Sequence, residues 1–137
     1  MINSNEIVRI AKRYRLSLIY LFGSRANGRA TKLSDIDIAI LLGNERKINL
    51  RKLILNLIFD LSQVFHSDRI DLLILNKAGL NIQYNVVFEG KILYQVNENV
   101  RCNYETQVIK LYLDFQKYEA EYYTWMQKVI LQGERAY

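Results

Sequence analysis

The feature that most limits what this chain can fold into is a pair of acids at the mouth of an apolar strand. Asp35 and Asp37 flank Ile36 and lead straight into Ile38-Ala39-Ile40-Leu41-Leu42. Ionised carboxylates are costly to take out of water unless a cation meets them. Side chains along a strand alternate between faces, so residues i and i+2 point the same way. Two carboxylates that close repel each other and raise one another's pKa. A divalent cation relieves the repulsion, and hard Mg²⁺ favours a few carboxylates completed by phosphate oxygens.

The residues before the pair supply the matching half of such a site. A strand over residues 16 to 22 runs into Gly23-Ser24, and Arg25, Arg29 and Lys32 follow before Asp35. Glycine lets backbone approach a ligand closely, and N–H groups exposed at a helix start favour phosphate. Ser24 adds a hydroxyl donor, and the Arg25 guanidinium suits phosphate oxygens. Without a ligand, Arg25 has the alternative of pairing with Asp35 or Asp37. The run GSRANGRA also approaches a P-loop, but Arg29 and Ala30 stand where that motif needs lysine and a hydroxyl. A turn-capping role for Asp35 explains one acid and leaves the second, on the same face, without a reason.

Hydrophobic spacing places the remaining elements. Asn3 and Glu6 resemble a capping box opening a helix over 3 to 14, with Ile7, Ile10, Ala11 and Tyr14 on one face. The second strand spans 36 to 42 and stops at Gly43-Asn44. Residues 49 to 65 form an amphipathic helix whose stripe is Leu50, Leu53, Ile54, Leu57, Ile58, Leu61, Val64 and Phe65. A third strand, 70 to 75, carries Asp71 at its start. Strand, helix and strand of this length make a parallel crossover, which brings Asp71 to the same end of the sheet as Asp35 and Asp37. An antiparallel first strand delivers Gly23-Ser24 there too. Asp71 as a strand-edge acid paired with Arg69 is the structural alternative, and Asp68 lies close by. His66, after the last turn of the 49–65 helix, reads as a partner of the helix dipole rather than a ligand. Residues 80 to 89 read as a helix capped by Gly90, and 91 to 96 as a short strand.

From about residue 100 to 132 nothing breaks a helix. Tyr104, Val108, Leu111, Phe115, Tyr118, Tyr122, Trp125 and Val129 are separated alternately by four and three residues, the spacing of a heptad seam. At 1.5 Å per residue the helix is roughly 50 Å long, against about 25 to 30 Å for a domain built from the first hundred residues. Part of it must project and needs something to bury its aromatic residues. Packing back on the domain and homodimerisation are the alternatives.

Length and composition fit one modest domain: 137 residues, half of them apolar and about a quarter charged. The lone Cys102 makes an internal disulfide impossible and suits a reducing cytoplasm. No run reaches the ~20 apolar residues that span a bilayer, and the opening MINSNEIVRIAKRY lacks a signal-peptide core. The expectation is a soluble cytoplasmic protein. The net charge of +5 is compatible with nucleic acid but weak evidence for it.

Gly23-Ser24, ten residues, then Asp35-Ile36-Asp37 resembles the signature of the DNA polymerase β-like nucleotidyltransferase superfamily. The wording GSRANG followed by SDIDIAILL is similar to its smallest members, the minimal nucleotidyltransferase (MNT) antitoxins of HEPN/MNT toxin–antitoxin pairs. The resemblance covers roughly residues 15 to 96, and the long C-terminal helix also occurs in that group. It implies an α/β (α+β) fold: a polymerase β-like core with a small mixed sheet and flanking helices, plus the long helix. Residues 1–98 would be the nucleotidyltransferase domain and 99–137 a partner-binding or packing extension. It implies catalytic and metal roles for Asp35, Asp37 and Asp71, which would hold two Mg²⁺ ions, and phosphate binding by Gly23, Ser24 and Arg25. The activity implied is transfer of AMP from ATP to a hydroxyl, that of a tyrosine, on a HEPN RNase toxin, which is thereby neutralised. Direct binding of nucleic acid is not part of that expectation. A non-catalytic antitoxin that masks its toxin, and a small-molecule nucleotidyltransferase of the aminoglycoside type, remain as alternatives.

Overall fold

The computed structural model describes residues 3–23, 26, 28, 35–43 and 49–133. Helix α1 (Ser4–Arg13) is capped by Asn3, whose Oδ1 accepts the Asn5 N–H at 3.0 Å. The Glu6 N–H bonds instead to the Asn3 carbonyl at 3.1 Å, so the cap is the simple asparagine kind rather than a box. Ile7, Ile10 and Ala11 are buried, as their spacing requires. The chain then lays down β1 (Leu16–Phe22), β2 (Ile36–Leu42), α2 (Leu50–Phe65), β3 (Ile70–Ile74), a single 3₁₀ turn (Leu75–Lys77), α3 (Leu80–Glu89), β4 (Lys91–Gln95) and α4 (Glu98–Leu131).

The four strands form one mixed sheet in the order β3-β2-β1-β4. β1 is antiparallel to β2 and to β4, while β2 and β3 are parallel, joined through α2. The expected crossover therefore exists, and it sets one end of the sheet: β1 exits where β2 and β3 enter.

Each face of the sheet has its own core. On one, Leu16, Ile19, Ile36, Ile38, Ile40 and Ile74 meet α1 and the α2 stripe of Leu53, Leu57, Leu61 and Val64. On the other, Leu18, Tyr20 and Ala39 meet Leu75 and Val86, with Leu73 and Tyr104 packed alongside. Fully burying one such aliphatic side chain is worth ~1.5–3 kcal/mol, so the sheet is held from both sides. The Tyr14 hydroxyl and the Arg13 guanidinium both reach Asp60, fastening α1 to α2.

Two C-terminal caps fall where the sequence puts them, each in a conformation of its own. Gly90 ends α3 with an extended backbone, φ −73° and ψ 159°, and its N–H bonds to the Val86 carbonyl. Glycine is required there by space, since a Cβ would sit 2.3 Å from the Val86 oxygen. His66 closes α2 in the left-handed region at φ 52°, a conformation that normally favours glycine or asparagine.

α4 is one continuous helix of 34 residues, capped by the Asn97 side chain on the Val100 N–H. Its first turns are rooted in the body. Tyr20, buried in β1, donates its hydroxyl to Glu105 Oε1 at 2.8 Å, and Arg101 Nε donates to the same oxygen at 2.9 Å. Tyr104 donates to Gln83 Oε1 at 2.8 Å, Val108 is buried, and Tyr112 stacks on Tyr84 with ring centroids 3.8 Å apart. Beyond that point the seam leaves the body: Phe115, Tyr118, Tyr122 and Trp125 are exposed, Tyr118 by 69%. The heptad reading thus divides into a packed root and a free overhang.

Candidate active site

The end of the sheet where β1 leaves and β2 and β3 enter gathers the acids. Asp37 lies opposite Asp71 in the parallel register of β2 and β3, and opposite Phe22 in the antiparallel register of β1 and β2. By strand alternation Asp37 shares its face with Ala39 and Leu41, and Asp71 shares that face with Leu73. Both carboxylates therefore point to the side of the sheet covered by α3 and the root of α4. Asp35 stands just before β2, exposed, and its charge reaches Asp37.

The electrostatics follow from this crowding. Burial pushes the Asp37 carboxyl above the usual carboxylate range. The charges of Asp71 and then Asp35 push it further the same way, as does a hydrogen bond with Asp71. Crowding by like charges therefore favours the protonated form of Asp37, and a cation placed among them would reverse that preference.

Gly23 completes the arrangement. It follows Phe22 directly, has φ +70°, and a Cβ placed on it would lie 2.1 Å from Asp37 Oδ2. The turn continues with the Ala26 N–H bonded to the Gly23 carbonyl at 3.1 Å. Backbone thus passes within contact of a carboxylate, a closeness that only glycine permits. Ser24 and Arg25, the other phosphate-binding candidates, lie outside the described residues, as do Arg29 and Lys32.

The donor set suits Mg²⁺. It consists of hard oxygens, with one carboxylate already destabilised in its charged form by its neighbours. Among the described residues no three His, Cys, Asp or Glu side chains are grouped so that together they could hold a metal ion, so Asp35, Asp37 and Asp71 do not form a ready-made three-acid site. An open acid pair is what a metal shared with phosphate oxygens needs, because Mg²⁺ keeps only one or two protein carboxylates in nucleotide sites.

Of the residues singled out in the sequence, Gly23, Asp35, Asp37 and Asp71 come together. Asp68 lies outside β3, on the loop before it, and does not share the register that pairs Asp71 with Asp37. What sequence reasoning missed is the tie between Tyr20 and Glu105. It joins residues 85 apart in the chain, and no local pattern announces it. It matters to the site because Tyr20 lies on β1, three residues before the Gly23 turn that follows the strand.

A family model described as "Polymerase beta, Nucleotidyltransferase" matches residues 5–99. No curated protein matches the chain. Among solved structures, a chain of a toxin–antitoxin with AMP-PNP is 30% identical, with a TM-score of 0.69 over 93% of this chain and 98% of that one. A chain from the complex of a tri-AMPylated Shewanella oneidensis HEPN toxin with its MNT antitoxin is 28% identical, with a TM-score of 0.62 over 93% and 95% of the two chains. A chain of the MntA–HepT toxin–antitoxin is 28% identical at the same TM-score of 0.62, over 93% and 96%. These shares of the chain are too large to stop at β4, so the likeness takes in α4. Among the described residues no helix is long and apolar enough to cross a membrane.

Proposed function

The chain belongs to the polymerase β nucleotidyltransferase family, and from that premise we propose that it is the antitoxin of a toxin–antitoxin pair, transferring AMP from ATP to a hydroxyl of a HEPN RNase partner and so silencing it. The observation that carries the reading is the register of Asp37 against Asp71 with Gly23 pressed against the Asp37 carboxylate. Support for the substrates comes from the similar chains, one solved with AMP-PNP and one with a tri-AMPylated HEPN toxin.

Asp35 and Asp37 would hold Mg²⁺, with Asp71 completing the set. When bound, the metal supplies charge neutralisation and brings the triphosphate into line for displacement. Gly23, with Ser24 and Arg25 beyond it, positions the phosphates. Asp71 accepts the proton of the incoming hydroxyl. That oxygen, on a tyrosine of the partner, forms the new bond to the α-phosphorus. The bond from the α-phosphorus to the bridging oxygen breaks, and pyrophosphate leaves. The chain's own contribution is orientation and an electrostatic setting prepared for a cation.

In this reading residues 1–98 are the catalytic domain and 99–137 the partner-binding extension, acting in the cytoplasm. The exposed aromatic overhang of α4 favours a second reading, an antitoxin that masks its partner by binding alone. The two separate on one experiment. With ATP labelled at the α-phosphate, the wild type labels the partner and the double variant Asp35→Asn/Asp37→Asn does not. Equal labelling by both removes these acids from the chemistry.

A further inference from the structure

Helix α4 runs the length of the sheet and leaves it at the acid end. β4 enters at that end, with Lys91 beside Leu21, and finishes at the far end, with Gln95 beside Leu18. α4 starts from there and turns back along β1. Its Arg101 Nη1 donates to Gln95 Oε1 at 3.3 Å, and Glu105, one turn on, accepts the hydroxyl of Tyr20, nearer the acids. Next come the buried Val108 and then Tyr112, stacked on Tyr84 of α3. At 1.5 Å per residue, Glu98 to Tyr112 covers about 21 Å, close to the roughly 23 Å of a seven-residue strand such as β1. Residues 113–131 therefore project roughly 28 Å past the mouth. α4 also lies on the face to which Asp37 and Asp71 point, because Tyr104 packs with Tyr20, Ala39 and Leu73.

The heptad seam sets which side overhangs. Tyr104 and Val108 are turned onto the body, and Phe115, Tyr118, Tyr122 and Trp125 continue that face, which drifts only about 20° per heptad. These exposed rings are thus turned toward the space in front of the acids. An aromatic side chain buries ~150–250 Å², so four half-exposed rings offer roughly half of the ~800 Å² that one side of a standard interface needs. An open dip of about 320 Å³ flanks the seam, lined by Ala120, Glu121, Thr124, Trp125 and Lys128. Glu121, Thr124, Trp125 and Lys128 stand at i, i+3, i+4 and i+7, the four corners of a hole that a side chain of a facing helix fills. We infer that the overhang is a docking arm: a helix of the partner protein packs on its aromatic face, and the arm's fixed length and direction bring the partner's hydroxyl to the acids. The inference rests on the transfer reading above and adds how the acceptor is aimed. A seam of Tyr and Trp is a poor match to the Leu, Ile and Val of a self-paired coil, whereas such rings are the usual anchors for a different protein.

The test uses the full-length chain, its HEPN partner and ATP. Seven alanine-rich helical residues inserted between Leu113 and Asp114 push the aromatic arm outward by about 10 Å and turn it by only about 20°. The variant binds the partner with a Kd within about threefold of the wild type. Its kcat for AMP transfer at saturating partner falls by about a hundredfold or more, since 1 Å of misplacement already costs that much. An unchanged kcat overturns the inference, whatever the Kd. Tyr122→Ala with Trp125→Ala raises the Kd by about tenfold or more, and an unchanged Kd removes the partner from this face. Sedimentation of the chain alone shows a monomer; a dimer that the double variant dissolves assigns the face to a second copy and overturns the inference. If the wild type transfers nothing, the transfer reading fails by itself. The Kd of the double variant then decides the docking face, a rise supporting it and no change refuting it.

Discussion

Gly23 and Asp37 touch so closely that a single added carbon on the glycine would lie 2.1 Å from the Asp37 Oδ2 atom. The Asp37 carboxylate is the movable member of this contact, and turning it away relieves the clash at little cost to the fold. Gly23→Ala also forces a side chain into φ +70°, worth roughly 1–2 kcal/mol. Its expected phenotype is a modest fall in stability with a far larger fall in transfer, by about a hundredfold or more if one transition-state contact is lost. Thermal melts beside a label-transfer assay compare the two losses; parallel small losses would detach Gly23 from the site.

Asp37 predicts the opposite pairing of effects. Its folded-state pKa is raised by burial, by Asp71 and by Asp35, so the folded chain binds this proton more tightly than the unfolded chain. Stability is therefore greatest below the ordinary carboxylate pKa and falls as pH rises from there through the raised value. Asp37→Asn removes the penalty. The variant melts at or above the wild-type temperature at pH 7 without Mg²⁺, yet transfers nothing. Its stability advantage shrinks on acidification, which melts at a series of pH values measure directly.

Much of this arrangement is legible in the residues. The α2 stripe and the apolar run of β2 are local patterns, and local patterns survive into the fold. Asp71 became legible through topology, because a parallel crossover leaves its acid at the same end as the first pair. Gly90 and His66 stand at the helix ends where the sequence puts them, and what it did not show is the conformation of each. A cap's conformation depends on what crowds it, and composition does not reveal that the Val86 oxygen blocks a Cβ at residue 90.

The root of α4 depends on Tyr20. Its hydroxyl is buried and bonds to Glu105, so Glu105→Ala orphans a buried donor and costs about 1–3 kcal/mol. Glu105→Gln keeps an acceptor and costs less. Chemical denaturation of the three proteins orders them wild type, Gln, Ala; equal stabilities would mean that the tie holds nothing.

Burial pushes the phenols of Tyr20 and Tyr104 upward, and Glu105 pushes both the same way. A phenol whose folded pKa is raised contributes stability that is complete below the ordinary tyrosine pKa and is lost as pH climbs beyond it. Alkaline titration followed by tyrosinate absorbance therefore shows these two ionising only as the fold opens, above about pH 10. Ionisation of all ten tyrosines in one smooth step, with the fold intact, would contradict the packing of the root.

The overhang of α4 contributes little to the body, because its last buried side chain is Val108 and its last ring contact with α3 is Tyr112. Removing residues 116–137 leaves the melting temperature of the body nearly unchanged and weakens capture of the HEPN partner by about tenfold or more, as loss of an aromatic anchor does. Binding measured by calorimetry decides it, and undiminished affinity would place the partner elsewhere.

The central claim is that this acid-lined sheet end moves AMP onto a protein. Intact-mass spectrometry of the HEPN partner, after incubation with this chain, ATP and Mg²⁺, addresses it most directly. The account predicts a partner heavier by one or more AMP units with the wild type and unchanged with Asp35→Asn/Asp37→Asn. A partner that binds tightly and is inhibited, yet keeps its original mass with the wild type, would contradict it.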